Sequence, residues 1–299
     1  MKLSFNCLES DLFRSRTWKV GHGRQLELGP KAVLMGILNV TPDSFSDGGH
    51  FSNIDAALSQ AEKMIGEGAH IIDVGGESTK PDGTAVTADI EQQRVIPVIE
   101  ALTKNFDTLI SIDTYRAETA ELGVKAGAHI VNDVWGLRRE EDIADVVARH
   151  NAGVCIMHTG RDRDKDDDVI NDQKLWFRKS LEIATRASIA DNAIILDPGF
   201  GFAKNVDENL ELMLRFSELN QFEYPILAGA SRKRFIGALV DRDPENIDIR
   251  SRDIGTSATS VLLRMQGASI FRVHDVGLNR DALAIADGLI KRSADKRSS

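Results

Sequence analysis

Eight short apolar runs, each followed by an amphipathic or charged stretch, constrain this chain more than any other feature of its sequence. They are AVLMGILNV (32–40), HIIDVGG (70–76), TLISIDT (108–114), HIVNDV (129–134), AGVCIMH (152–158), AIILDPG (193–199), YPILAGAS (224–231) and SIFRVHDV (269–276). Most are nearly continuous in apolar residues, as in parallel strands buried on both faces. The segments between them carry helical periodicity. After the first run Ile54, Ala57, Leu58, Ala61 and Ile65 fall on one helical face, and Val206, Leu210, Met213 and Leu214 do so after the sixth. Strict alternation of eight such units predicts an α/β fold, a TIM (β/α)8 barrel. A doubly wound open sheet competes, but it usually has fewer strands, and no GxGxxG follows the first run.

The 299 residues suit one barrel or two average domains. No linker or second core is visible, so a single domain is expected. Residues 1–31 precede the barrel, and TWKVGHGRQLEL within them reads as a short β-hairpin with Gly21 and Gly23 at its turn. The barrel is expected over 32–292, followed by a polar tail at 293–299.

Composition removes several classes of function. A net charge of −9 disfavours a nucleic-acid protein that relies on a basic surface. No apolar stretch approaches about 18 residues, so no membrane span is expected. Cys7 and Cys155 cannot build a disulfide framework and form no CxxC pair; Cys155 reads as a small buried hydrophobe. Glu9 and Asp11 stand where an export signal needs apolar residues, so a cytoplasmic protein is expected.

In a barrel the site lies at the C-terminal ends of the strands. Each run here ends in polar or ionisable residues: Asn39, Asp73, Asp113, Asn132 with Asp133, His158, Asp197, Ser231 with Arg232, Lys233 and Arg234, and Arg272 with His274. Eight such ends converging on one rim read as a ligand site. The cations of the last two strands occupy the corner where barrels often hold phosphate. Asn39 offers an oxygen to a hard cation such as Mg²⁺. Asp113, Asn132 and Asp197 suit the donor-rich edge of a flat heterocycle, since a carboxylate accepts two parallel N–H bonds; a structural salt bridge is the plainer alternative for each acid. The Gly-rich loops TPDSFSDGG and GGESTKP read as lids or as ordinary βα loops. Phe200 and Phe202 lie beside the rim or in the core, and RDRDKDDD (161–168) reads as a solvated surface loop.

The segments MGILNVTPDSFSDGG (35–49), DVGGESTKP (73–81), SIDT (111–114), VNDV (131–134), MH (157–158), LDPGFGF (196–202), SRK (231–233) and RVHDV (272–276), in this order, resemble the bacterial dihydropteroate synthase family. The resemblance implies a TIM barrel and a Mg²⁺-dependent transferase. It would join 6-hydroxymethyl-7,8-dihydropterin diphosphate to 4-aminobenzoate, giving 7,8-dihydropteroate and diphosphate in folate biosynthesis, and would be a sulfonamide target. It further implies that Asp113, Asn132, Asp197, Lys233 and Arg272 bind the pterin, and that Thr79, Arg272 and His274 bind the diphosphate. Phe45, Pro81 and Phe202 would frame the aminobenzoate, Asn39 would hold Mg²⁺, and Asp47 would face the developing pterin cation. Asp47, Lys233, Arg272 and His274 are thereby the implied catalytic set, and a homodimer is implied as well. Three positions depart from the family's usual residues: Lys80 for Arg, Ala203 for Gly, and Thr159-Gly160 for Met-Gln. A pterin-binding methyltransferase of the same barrel superfamily would share the Asp, Asn and Asp but has no diphosphate to bind, which SRK and RVHDV argue against. A non-catalytic pterin-binding paralogue is the other alternative.

Overall fold

The computed structural model describes residues 10–41, 50–77, 86–241 and 248–298. The hairpin pairs β1 (Arg16–Lys19) with β2 (Gln25–Leu28) antiparallel, Arg16 opposite Leu28. Its turn places His22 and Gly23 at φ 58° and 71°. Two successive left-handed residues match the twist of a two-residue hairpin, which is why glycine belongs there.

Among the described residues, eight parallel strands then close into a barrel in chain order. These are β3 (Val33–Asn39), β4 (Ile71–Gly75), β5 (Leu109–Asp113), β6 (Ile130–Asp133), β7 (Gly153–Met157), β8 (Ile194–Asp197), β9 (Ile226–Ala228) and β10 (Ala268–Val273), with β10 pairing back onto β3. Each coincides with one of the eight apolar runs. Helices α1 (His50–Gly66), α2 (Ala88–Asn105), α3 (Ala117–Lys125), α4 (Asp142–His150), α5 (Val169–Arg186) and α6 (Val206–Leu214) follow successive strands. Both α7 (Arg234–Val240) and α8 (Ile249–Met265) lie between β9 and β10, and α9 (Val276–Ser298) closes the chain. Polar side chains start several helices. Asp168 accepts from the backbone of Ile170 and Asn171, and Asn205 forms a reciprocal box with Glu208.

The core has two shells. Alternate strand residues face out against the helices, where Leu38, Ile72, Ile110 and Ile156 join one continuous cluster with helix residues such as Ala57, Val98, Ala120 and Phe177. The opposite alternation fills the barrel: Met35, Ile71, Leu109, Ile130, Cys155, Ile195, Leu227 and Ile270 form an apolar layer. The hairpin seals its N-terminal end with Trp18, Val20 and Leu28, and the Trp18 indole donates to the carbonyl of Ala193 at 2.9 Å.

Two expectations need correction. The inward face of α6 is carried by Asn209 and Leu212, while Leu214 is exposed; the segment turns into a 3₁₀ helix at Phe216–Phe222, which ends the α-helical periodicity there. The segment read as a polar tail is helical through Ser298, as the end of α9.

Candidate active site

Two residues beyond the apolar layer, the inward positions of the same strands become polar. Asp73, Ser111, Asp113, Asn132 and Asp197 are all buried. Arg272 on β10 reaches across the barrel to join two of them. Its Nε donates to Asp73 Oδ2 at 2.6 Å, and an Nη donates to Asp113 Oδ2 at 2.7 Å. Asn132 Nδ2 donates to the same Asp73 oxygen at 3.1 Å. The second Asp73 oxygen and the Ser111 hydroxyl are buried with no partner among the described residues. Orphaned acceptors this deep stand ready for donors that the chain does not supply.

The electrostatics follow from burial. Desolvation pushes the Asp113 carboxyl well up, with Arg272 opposing and Asp73 reinforcing the shift. Asp197 is pushed up to about 6 by burial, although its Oδ1 accepts the Gly199 N–H at 2.7 Å. The Lys233 ammonium is brought down to about 8 by burial and the nearby Arg272. Lys233 Nζ lies 4.1 Å from the centre of the Phe202 ring, a cation–π contact. Phe202 packs with Val134 and Met157 as an apolar patch on the rim. His274 Nδ1 lies 2.8 Å from the Ser231 hydroxyl, which also accepts the His274 backbone N–H at 3.2 Å. A hydroxyl that donates to Nδ1 leaves Nε2 as the protonated nitrogen, a donor for an anion.

The turn after β8 is built to place these groups. Gly199 has φ 65°, and a Cβ there would lie 1.9 Å from the His158 carbonyl oxygen, so no other residue fits. Half-buried Lys204 donates to the carbonyl of Gly199 and to His158 Nδ1, each at 2.9 Å. The sequence reading missed Lys204. Burial brings it down to about 7, and holds His158 neutral, down to about 3. It also gave Asp73 no binding role, although the residue stands in the DVGG motif at the centre of the network.

Asp113, Asn132, Asp197, Lys233 and Arg272 are therefore brought to one mouth, with Asn39, Phe202 and His274 at strand ends or on the rim. Other strand-end residues face elsewhere. His158 turns outward to Asp172 on α5 at 2.8 Å. Asp133 accepts the backbone N–H groups of Trp135 and Leu137. Arg232 is held by both carboxylate oxygens of Asp253 on α8, at 2.6 and 2.8 Å. Phe200 is core, stacked between Phe216 and Phe235. The 161–168 loop is partly built in: Arg163 donates to both oxygens of Asp172, and Lys165 to the Ala203 carbonyl. Phe45, Asp47, Thr79, Lys80 and Pro81 lie outside the described residues.

Comparison with known proteins gives concordant results. The family model for pterin binding enzymes matches residues 35–274. The dihydropteroate synthase of Bacillus subtilis is 47% identical over 246 residues, covering 82% of this chain and 84% of that protein. The dihydropteroate synthase of Clostridium difficile, solved in the presence of pteroic acid, superposes with a TM-score of 0.84 at 45% identity, covering 88% of this chain and 98% of its own. That of Xanthomonas albilineans, solved with 4-aminobenzoic acid, gives a TM-score of 0.85 at 38% identity, covering 92% and 98%.

Proposed function

The chain belongs to the pterin-binding enzymes as a dihydropteroate synthase, and on that premise we propose how its barrel mouth performs the reaction. The enzyme condenses 6-hydroxymethyl-7,8-dihydropterin diphosphate with 4-aminobenzoate to 7,8-dihydropteroate and diphosphate. The observation that carries the assignment of the site is the convergence of Asp113, Asn132, Asp197, Lys233 and Arg272 in one buried mouth.

The pterin presents ring and amino N–H donors. Asp197 and Asp113 accept them, Asn132 reads the same edge, and Lys233 donates to a ring acceptor. Without ligand, Arg272 supplies the counter-charge for Asp73 and Asp113. Once pterin donors satisfy Asp113, the guanidinium is available to the ring face and the diphosphate. His274, oriented by Ser231, donates from the same corner. Together these cations stabilise charge that grows on the leaving diphosphate. The pterin methylene becomes electron-poor as the C–O bond breaks. Asp113 and Asp197 favour that charge at a distance, and Asp47 is the nearer candidate. The neutral arylamine attacks the methylene as diphosphate leaves, and the surplus proton on its nitrogen passes to diphosphate or solvent, so no strong base is needed. Phe202, with Phe45 and Pro81, frames the aminobenzoate, and Thr79 contacts the diphosphate.

Asn39 fits a Mg²⁺ ion held mainly by phosphate oxygens and water. It ends β3, and its carboxamide makes no hydrogen bond to a described residue. Among the described residues no three His, Cys, Asp or Glu cluster to hold a metal, and a phosphate-bound ion needs no such cluster. When bound, Mg²⁺ neutralises the diphosphate.

Exposed apolar side chains on α7, α8 and α9, among them Leu239, Ile254, Leu262, Ile285 and Leu289, support a homodimer through this wall. No helix among the described residues is long and apolar enough to cross a membrane. The buried free thiol of Cys155 suits the cytoplasm. Incubation of purified protein with both substrates and Mg²⁺ is expected to yield 7,8-dihydropteroate. Pterin binding without product would overturn the catalytic reading of the site.

A further inference from the structure

Beside the reaction site, on the rim above β6 and β7, lies a second pocket of about 250 Å³. Its walls are the indoles of Trp135 and Trp176 and the guanidinium groups of Arg138, Arg139, Arg161 and Arg163, with Asp162 the single acid among them. The guanidinium groups are fixed by stacking. Arg138 lies 4.0 Å from the Trp176 ring centre, and Arg139 lies 4.4 Å from Tyr115 and 4.7 Å from Trp135. Stacking uses the face of a guanidinium and leaves its in-plane N–H donors unused. Neither Arg138 nor Arg139 has a carboxylate partner among the described residues, whereas Arg163 is neutralised by Asp172.

A clustering of four like charges is unfavourable without a counter-ion. Asp162 and Asp172 lie against the cluster and Glu77 and Glu141 act on it from farther off, so the unused forks of Arg138 and Arg139, rather than a net charge, mark the pocket. We propose that this pocket binds a small dianionic oxyanion, a phosphomonoester or a dicarboxylate, held by the paired forks of Arg138 and Arg139 between the two indoles. The chemistry matches, since a guanidinium fork meets two oxygens of either group at once. The size matches as well. A pocket of this volume, open to solvent on its outer side, admits inorganic phosphate or succinate. The pocket adjoins the reaction site through Arg161, whose guanidinium carbon lies 4.7 Å from the centre of the Phe202 ring.

The indole N–H signals of ¹⁵N-tryptophan-labelled full-length protein provide a local readout. The chain has three tryptophans, and Trp18 sits at the far end of the barrel. Titration with inorganic phosphate, and separately with succinate, is expected to shift the Trp135 and Trp176 signals saturably and leave Trp18 in place. A response to phosphate alone assigns a phosphoryl ligand; a response to both extends the class to dicarboxylates. The Arg138→Gln/Arg139→Gln variant is expected to weaken binding about tenfold or more. The Arg138→Lys/Arg139→Lys variant keeps charge and stem but loses the forks, and is expected to weaken it about threefold or more. It decides the matter alone if the glutamine variant does not fold. Absence of Trp135 and Trp176 shifts with both anions overturns the proposal. So does wild-type affinity in the variants, which would place any bound phosphate in the diphosphate corner instead.

Discussion

Along the inward face of the barrel, Ile71, Leu109, Ile130, Ile195 and Ile270 are followed two residues later by Asp73, Ser111, Asn132, Asp197 and Arg272. The pleat repeats every two residues, so both sets point inward. They sit in opposite worlds. The lower set is dry, close-packed and sealed by Trp18 and Leu28. At the upper level burial makes the protons of Asp197 and of neighbouring Asp113 hard to remove, and Asp73 and Ser111 each keep an oxygen with no partner among the described residues. One end of the barrel supplies stability that the other end draws on, since buried unpaired groups destabilise a fold by about 1–3 kcal/mol each.

The largest expected effect comes from removing the cation that reconciles the upper set. Arg272→Met leaves Asp73 and Asp113 facing each other without their ion-pair partner. Turnover is expected to fall roughly 100- to 1,000-fold, and stability at pH 8 by roughly 3–5 kcal/mol. Asp113, raised by burial and freed of the Arg272 charge that opposes the shift, holds its proton more tightly folded than unfolded. Its contribution to the folded state is therefore present at low pH and is lost as pH rises. Urea unfolding at pH 5 should accordingly show a smaller deficit than at pH 8. Equal stability of variant and wild type at pH 8 would mean that the mouth tolerates the two acids without Arg272.

Trp18→Ala attacks the other end. The side chain is almost fully buried and its indole bonds the Ala193 carbonyl. Its loss should cost about 3–5 kcal/mol. If the two ends are separable, kcat/KM of the folded variant stays within about twofold of wild type, because Trp18 touches no residue of the mouth. Loss of kcat/KM beyond the loss of folded protein would show that the plug shapes the site.

The contrast between the ends also explains what could be read from the sequence. The eight runs were legible because parallel strands buried on both faces need near-continuous apolar residues. The polar step at each strand end was legible for the same reason, as a break in that pattern. The direction of a side chain was not. His158 and Asp133 stand at strand ends like Asp113 and Asp197, yet one faces Asp172 and the other caps its own loop. Strand-end geometry, set by each loop, decides this, and no local motif encodes it. Lys204 and the arginines of the second pocket were hidden for another reason. Lys204 meets His158 and Arg138 stacks on Trp176, both far along the chain, so the local sequence gave no sign of either contact.

Asp197→Asn tests the mouth more gently. An amide offers one acceptor oxygen, and its NH₂ would face the pterin's own donors. Pterin affinity should fall by about 1–3 kcal/mol in an equilibrium titration. The pH dependence has a definite sign. Asp197 is raised from 3.8 to about 6 by burial. Its contribution is therefore complete below about pH 4 and is lost as pH rises through about 6. Asn does not titrate. Wild-type stability minus variant stability should fall by roughly 2–3 kcal/mol across that window and then level off. A difference independent of pH would mean that Asp197 titrates as an ordinary exposed acid.

The smallest expected effect concerns Ala203, in the turn that carries Phe202. Its backbone sits at φ 51°, in the left-handed region. For an L-residue that conformation costs about 1–2 kcal/mol relative to the right-handed one. Glycine escapes the steric part but loses about 0.5–1 kcal/mol more to conformational entropy on folding. The Ala203 methyl contributes little in return, since the residue is exposed. The contact that ties this position down is made by the backbone, its carbonyl accepting from Lys165 at 2.8 Å, and glycine keeps it. Ala203→Gly should therefore raise stability by about 0.5–1 kcal/mol, read as a higher midpoint in thermal unfolding. Aminobenzoate KM should stay within about twofold, because Lys204 still holds the Gly199 carbonyl. That outcome would locate part of the upper end's instability in backbone strain apart from its charges. A lower midpoint would mean that the alanine methyl, beside the close approach of Gly160, holds the turn more firmly than its strain loosens it.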